Sequence, residues 1–97
     1  MIRRLKKGYW YWNGHEGLRV ITSIDVHGHI HYVVKAAHLE VTWDSKASRV
    51  VSVINRQAKC HPRWFAIWAK VELSPEEGKK LLREIRSRQE ASSEDMT

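Results

Sequence analysis

The sequence predicts a mainly β protein of the α+β class, in which one C-terminal helix packs on a curled antiparallel sheet of five or six strands. Polar and apolar residues alternate through most of the chain, as in half-buried strands. Pairs such as Asn13-Gly14 and His27-Gly28 are typical of tight hairpin turns. Five tryptophans in 97 residues favour strong curling around an aromatic core, and a small open barrel is one form of such a sheet.

The length of 97 residues corresponds to one domain. Residues 1–7 form a basic N-terminal arm, residues 8–89 form the single domain, and residues 90–97 form an acidic tail that we expect to be flexible. No apolar run follows the basic start or reaches membrane-spanning length, so we expect neither a signal peptide nor a membrane partner.

Alternation and turn residues divide the first half of the domain into strands. The predicted strands are Gly8–Trp12, Leu18–Val26, His29–Ala36, Leu39–Trp43 and Arg49–Asn55, and residues 56–62 form a basic loop. Residues 33–41 also fit a helical period, although their β-branched side chains favour a strand. The predicted topology is therefore a meander.

The last strand and the helix are predicted from the stretch Arg63–Leu73 and the residues that follow it. With a period of two this stretch is apolar on both faces, which predicts a central strand covered on both sides. Ser74, Pro75 and Glu77 then form a capping box with proline at the first helical position. The helix is predicted from Pro75 to about Gln89.

The direction of the aromatic side chains decides which surface meets solvent. Tyr9 and Tyr11 share one face of their strand with Lys7, and Trp10 and Trp12 share the other. Because tyrosine keeps its hydroxyl in water, we expect the tyrosine face to be exposed and the indoles, with that of Trp68, to be buried.

The charge balance predicts an anionic partner. There are 17 Lys and Arg residues against 11 Asp and Glu, which leaves a net charge of +6. Cys60 is the only cysteine, so an intramolecular disulfide and a four-cysteine zinc site are excluded. A lone thiol is typical of a reducing compartment, and we expect the protein to be cytoplasmic.

The histidines are considered for two chemical roles, metal binding and acid–base catalysis. His29 and His31 share a strand face, but two ligands are too few for zinc, and His27 falls in the turn. His61 beside Lys59 and Arg63 could be imagined in RNA cleavage, and adjacent Cys60 and His61 rarely reach one another. Because no phosphate loop, carboxylate pair or nucleophile elbow occurs, we predict no metal, no cofactor and no catalysis.

The leading hypothesis is a small nucleic-acid-binding protein that contacts phosphates through cations and stacks unpaired bases on aromatic rings. DNA and RNA are not distinguished. The predicted contact residues are Arg3, Arg4, Lys6, Lys7, Tyr9, Tyr11, Arg19, Lys35, Arg56, Lys59 and Arg63.

The alternative is a small inhibitor or adaptor of the kind that phages and other mobile elements encode, which binds an acidic surface of a larger nucleoprotein complex. Tyrosine, tryptophan and arginine are enriched at protein interfaces, so one surface could serve either hypothesis. The cations Lys79, Lys80, Arg83 and Arg86 are read as a solvated helix face. An uncovered sheet edge could also pair with a second copy to form a homodimer.

Overall fold

The structure, a computed structural model, describes residues 4–14, 16–43 and 46–95, with side chains outside 38–52 and 88–95. Within these ranges the chain forms five strands and two helices. They are β1 (Trp10–Asn13), β2 (Gly17–Ile24), β3 (Ile30–Trp43), β4 (Lys46–Cys60), α1 (Pro62–Trp68), β5 (Val71–Leu73) and α2 (Pro75–Asp95). The predicted fold class, a mainly β sheet with a C-terminal helix, is confirmed.

The sheet is antiparallel throughout, in the order β4-β3-β2-β1-β5. The β2–β3 hairpin predicted near His27-Gly28 is present, but its loop spans residues 25–29 rather than two residues, because β2 ends at Ile24 and β3 begins at Ile30. The Gly28 backbone N–H donates to the Asp25 carbonyl at 2.9 Å, and Gly28 has the positive φ of 82° that this turn requires. Beyond the part of β3 that pairs with β2, residues 38–43 and 46–52 pair with each other as a two-stranded ribbon. Of the described helices, none is long and apolar enough to cross a bilayer.

Two clusters of buried side chains lie on opposite faces of the sheet. One cluster packs under α2 and contains Trp10, Leu18, Ala36, Leu82 and Ile85. The other packs under α1 and contains Tyr11, Ile21, Ile30, Tyr32, Val34, Phe65 and Ala69. We call these the α2 face and the α1 face. Successive side chains of a strand point to opposite faces, so neighbours such as Trp10 and Tyr11 are both buried.

The capping box at the start of α2 is confirmed. The Ser74 backbone N–H donates to Glu77 Oε1 at 3.1 Å, and the Glu77 backbone N–H donates to Ser74 Oγ at 3.2 Å. The helix continues to Asp95, beyond the predicted end near Gln89 and into the predicted tail. Glutamate and alanine are good helix formers, and no glycine or proline stops the helix there.

The predicted central strand at Arg63–Leu73 is wrong. Its first part forms the helix α1, and its last part forms β5, which pairs with β1 at an edge of the sheet. Two further bounds differ: residues 30–43 form one strand rather than two, and the predicted loop at 56–62 is strand as far as Cys60. The helical alternative for residues 33–41 is excluded by β3.

Candidate functional site

A cleft opens beside α1 on the α1 face of the sheet. Its volume is about 470 Å³, and it is lined by Asn13, Glu16, Arg19, Tyr32, Cys60, Trp64, Ile67, Trp68 and Lys70. The lining combines aromatic rings, cations and one carboxylate. The cleft therefore offers groups that can stack on a ligand, donate hydrogen bonds to it and accept them from it.

The short helix α1 forms because the local sequence caps it and supplies an apolar side. His61 is the N-cap residue, and its Nδ1 accepts a hydrogen bond from the Arg63 backbone N–H at 3.1 Å. Pro62 occupies the first turn, where it needs no donor. Phe65 and Ala69, four residues apart, point into the core.

The opposite side of α1 is exposed. Trp64 is 69% exposed and Ile67 is 43% exposed, and both residues line the cleft. A large exposed aromatic ring beside a cleft offers a flat surface on which a ligand ring can stack.

Arg19 crosses the floor of the cleft as a half-buried cation. Its guanidinium carbon lies 3.9 Å from the ring centroid of Trp68 and 4.7 Å from that of Tyr32, within the range of cation–π attraction. Burial lowers the pKa of the Arg19 guanidinium, the nearby Tyr32, Cys60 and Glu16 side chains oppose this, and repulsion from Arg56 adds a smaller lowering effect. Arginine stays protonated at neutral pH in spite of such shifts, so the cleft holds a fixed positive charge.

The position of Trp68 is set by the end of β1. Asn13 Nδ2 donates to the Trp68 backbone carbonyl at 2.8 Å, which ties the end of α1 to the sheet. The Trp68 indole Nε1 is buried and has no acceptor among the described residues. A buried donor without a partner costs about 1–3 kcal/mol, so this side of the cleft lacks one acceptor.

The Cys60 thiol lines the same cleft but is poorly suited to nucleophilic chemistry. Burial raises the pKa of the thiol, with a smaller opposing effect from Arg19. The thiolate is the reactive form, and the neighbouring His61 ring is already engaged as the cap of α1. Nothing in this geometry makes Cys60 and His61 a reactive pair.

The predicted exposed tyrosine face is wrong. Tyr11 is 0% exposed, its ring packs edge-on against Phe65 at 5.3 Å, and its hydroxyl donates to Glu72 Oε2 at 3.0 Å. Tyr9 is half-buried against the same cluster. The prediction assigned the residues of α1 to a strand, and α1 is the element that covers this face. Tyr11 cannot stack on a base, whereas the predicted burial of Trp10 is confirmed.

The predicted cations are distributed over several surfaces. Lys6 pairs with Glu72 at 3.3 Å, and Lys35 Nζ donates to Asn55 on the side of Trp10. Lys59 is the register partner of His31 and lies beside Cys60 in β4, so it points away from the cleft. Arg4, Lys7, Arg56, Lys59 and Arg63 are exposed, and Arg3 lies outside the described residues. Only Arg19, Arg56 and Arg63 are associated with the cleft or its helix.

The histidines of the β2–β3 hairpin surround Asp25. His31 Nε2 and Asp25 Oδ2 are 2.9 Å apart, and Asp25 Oδ1 accepts from the backbone N–H groups of His27 and His29. The hydrogen bond with His31 lowers the pKa of Asp25 to about 2. In the described part of the chain, no group of three or more suitable side chains could hold a metal ion. The Asp25 carboxylate therefore stabilises the β2–β3 turn through these hydrogen bonds.

Sequence reasoning missed the exposed Trp64, together with Glu16 and Lys70. The signal was present in the spacing of Phe65, Trp68 and Ala69, which is helical and leaves Trp64 outside. Only the three-dimensional arrangement brings the β1–β2 turn, where Glu16 lies, next to α1.

No protein-family model matches the sequence, and no match was found among curated proteins or solved structures.

Proposed function

We propose that the protein binds single-stranded nucleic acid without catalysis, with one base stacked on Trp64 and the phosphate backbone held by the cations around the cleft. The exposed indole of Trp64 beside the cleft carries this proposal. Stacking on an aromatic ring accepts any base and requires that the base be unpaired. The proposal keeps the predicted class of function and moves the stacking surface from the tyrosines of β1 to α1.

The charges near α1 support the proposal. Arg19 and Lys70 line the cleft, Arg63 precedes Trp64, and Arg56 is close enough to Arg19 to affect its pKa. Cations at the sides of a stacked base can neutralise the adjoining phosphates and release their counterions. The net charge of +6 adds a long-range attraction.

Binding of short labelled single strands to the wild type and to two variants tests this function. Trp64→Ala should raise the Kd about tenfold or more, because stacking contributes about 1–3 kcal/mol per base. Val26→Ala, which removes an apolar side chain exposed on the β2–β3 hairpin, is the matched control and should bind as the wild type does.

The salt dependence provides a second measurement. Contact with about four phosphates of a single strand predicts that the logarithm of the association constant falls with the logarithm of the salt concentration with a slope near −3. Absence of binding to every DNA and RNA oligonucleotide at about 50 mM salt would refute the proposal.

A protein partner is the second candidate, and the exposed apolar side chains of α1 and β5 favour it. Trp64, Ile67 and Val71 are all exposed, and apolar patches with a central tryptophan are common at protein interfaces. On this hypothesis the chain is an inhibitor or adaptor, as in phages, that binds an acidic surface of a nucleoprotein complex. Stoichiometric capture of one acidic protein, combined with no oligonucleotide binding, would favour it over the first.

The compartment and oligomeric state also remain proposals. The free Cys60 is compatible with a reducing cytoplasm. The strand β4 forms one edge of the sheet and could pair with a second copy. Sedimentation at several concentrations tests the proposed homodimer.

A further inference from the structure

One carboxylate lies in a cleft whose other charged groups are cations. Glu16 is exposed, lines the cleft with Arg19 and Lys70, and follows β1 in a turn where its backbone N–H donates to the Asn13 carbonyl at 3.1 Å. No ion pair involves Glu16 among the residues that the structure describes. The Glu16 charge is close enough to Arg19 to raise the pKa of the guanidinium. A carboxylate repels phosphate, but it accepts hydrogen bonds from N–H groups of a ligand.

The hydrogen-bonding groups of the cleft distinguish between bases. An ionised glutamate only accepts hydrogen bonds, and an arginine only donates them. Guanine presents two adjacent donors, N1–H and the N2 amino group, next to the acceptor O6. Adenine and cytosine place a ring acceptor beside their amino donor, and uracil or thymine has one donor between two acceptors. Guanine alone gives a carboxylate two parallel bonds and leaves an acceptor for a neighbouring guanidinium.

The side of the cleft formed by Trp68 and Arg19 supplies a donor rather than an acceptor. Trp68 lines the cleft, and its Nε1 is buried without an acceptor in the described part of the protein. Arg19 stacks on the Trp68 ring at 3.9 Å. Arg19 is therefore the donor that a ligand reaches on this side of the cleft, and Glu16 supplies the acceptor.

We propose that the cleft prefers guanine: the base stacks on Trp64, its N1–H and N2 amino groups donate to the Glu16 carboxylate, and O6 accepts from Arg19. This inference rests on the proposed binding of single-stranded nucleic acid and specifies the base. It makes Glu16 the residue that determines specificity, while Trp64 determines affinity for any base.

The test uses four single strands of thymidine that differ at one central position, which is G, A, C or T. The wild type should bind the G strand about tenfold more tightly than the others, as expected for one bidentate contact. Glu16→Gln should abolish this preference, because an amide replaces one acceptor oxygen with a donor, and it should not weaken binding of the A, C and T strands. Glu76→Gln removes the same charge from the exposed surface of α2 and should keep the preference.

Different failures refute different proposals. If no strand binds, the proposed function itself is wrong. If all four strands bind alike, and Glu16→Gln strengthens each equally, the function stands and the guanine preference is refuted. Guanosine monophosphate serves as a third arm, because free nucleotide could supply the same base. It should compete only weakly with the G strand, and equal affinity would refute binding of a strand.

Discussion

The two faces of the sheet are covered by helices of very different length, and this difference separates a closed surface from an open one. On the α2 face a helix of 21 residues packs apolar side chains on Trp10 and its neighbours. On the α1 face a helix of seven residues covers Tyr11 and Tyr32 with its own Phe65 ring but leaves the cleft beside it open. A short cover is thus enough to exclude water from a core while leaving binding groups accessible.

The largest effect should come from the residue that attaches α1 to the sheet. Phe65 is fully buried, and its ring lies 5.3 Å from the rings of both Tyr11 and Tyr32. Phe65→Ala should lower the free energy of unfolding by about 3–5 kcal/mol. Chemical denaturation measures this, with Trp64→Ala on the exposed side of the same helix expected within about 0.5 kcal/mol of the wild type. Equal losses for both variants would mean that α1 is not packed as described.

A smaller loss is expected where α2 approaches the sheet most closely. A Cβ at Gly78 would collide with the ring of Trp10, so the helix backbone itself lies against the indole. Gly78→Ala should therefore destabilise the protein by about 1–3 kcal/mol, although alanine is the better helix former by about 1 kcal/mol. Lys79→Ala, at the next and exposed position, is the control. A gain in stability at Gly78 would show that the α2 face is looser than the α1 face.

The hydroxyl of Tyr11 should contribute about 1 kcal/mol, and its contribution should depend on pH. It donates to Glu72 and accepts from the Lys6 backbone N–H at 2.8 Å. Burial raises the pKa of Tyr11 from 10.0 to about 12. The unfolded chain loses this proton first, so the wild type should lose stability between pH 10 and about 12. Tyr11→Phe should remove that part of the decline in urea unfolding curves.

The smallest effect should lie in the β2–β3 turn. The pKa of Asp25 is lowered from 3.8 to about 2, chiefly by the hydrogen bond with His31. A depressed carboxyl pKa stabilises the fold above pH 3.8, and this stabilisation is lost as the pH falls to about 2. The difference in stability between the wild type and Asp25→Asn should therefore shrink over that range. A difference that stays constant would show that the charge of Asp25 is irrelevant to the turn.

The parts of the fold that depend on local chemistry were predictable from the sequence. The capping box at Ser74 and the hairpin near His27-Gly28 depend on residues within a few positions of one another, and both are present, although the hairpin loop is longer than the two residues predicted. The alternation of polar and apolar residues also predicted correctly that strands form along residues 18–43. The length of each strand did not, because pairing with a neighbouring strand can extend β3 and β4 through weakly alternating residues.

The candidate site was not predictable in the same way. Seven residues of α1 are too few for a helical period to be separated from an apolar strand, and the tertiary environment decided between them. Because residues 62–68 were assigned to a strand, no helix was expected over the Tyr11 face of β1, and that face was predicted to be exposed to solvent. Arg19 was predicted as a contact residue and does line the cleft. Trp64 joins the cleft once residues 62–68 are assigned as a helix, whereas Glu16 joins it through a tertiary arrangement that sequence spacing does not reveal.

The pairing of β1 with β5 has a consequence for how the chain emerges from the ribosome. Trp10 of β1 pairs with Leu73 of β5, so the outer edge of the first described strand stays uncovered until the last described strand has been synthesised. Until then an aromatic-rich edge is available to any other extended segment, and nascent chains that stall before residue 71 should be prone to aggregate.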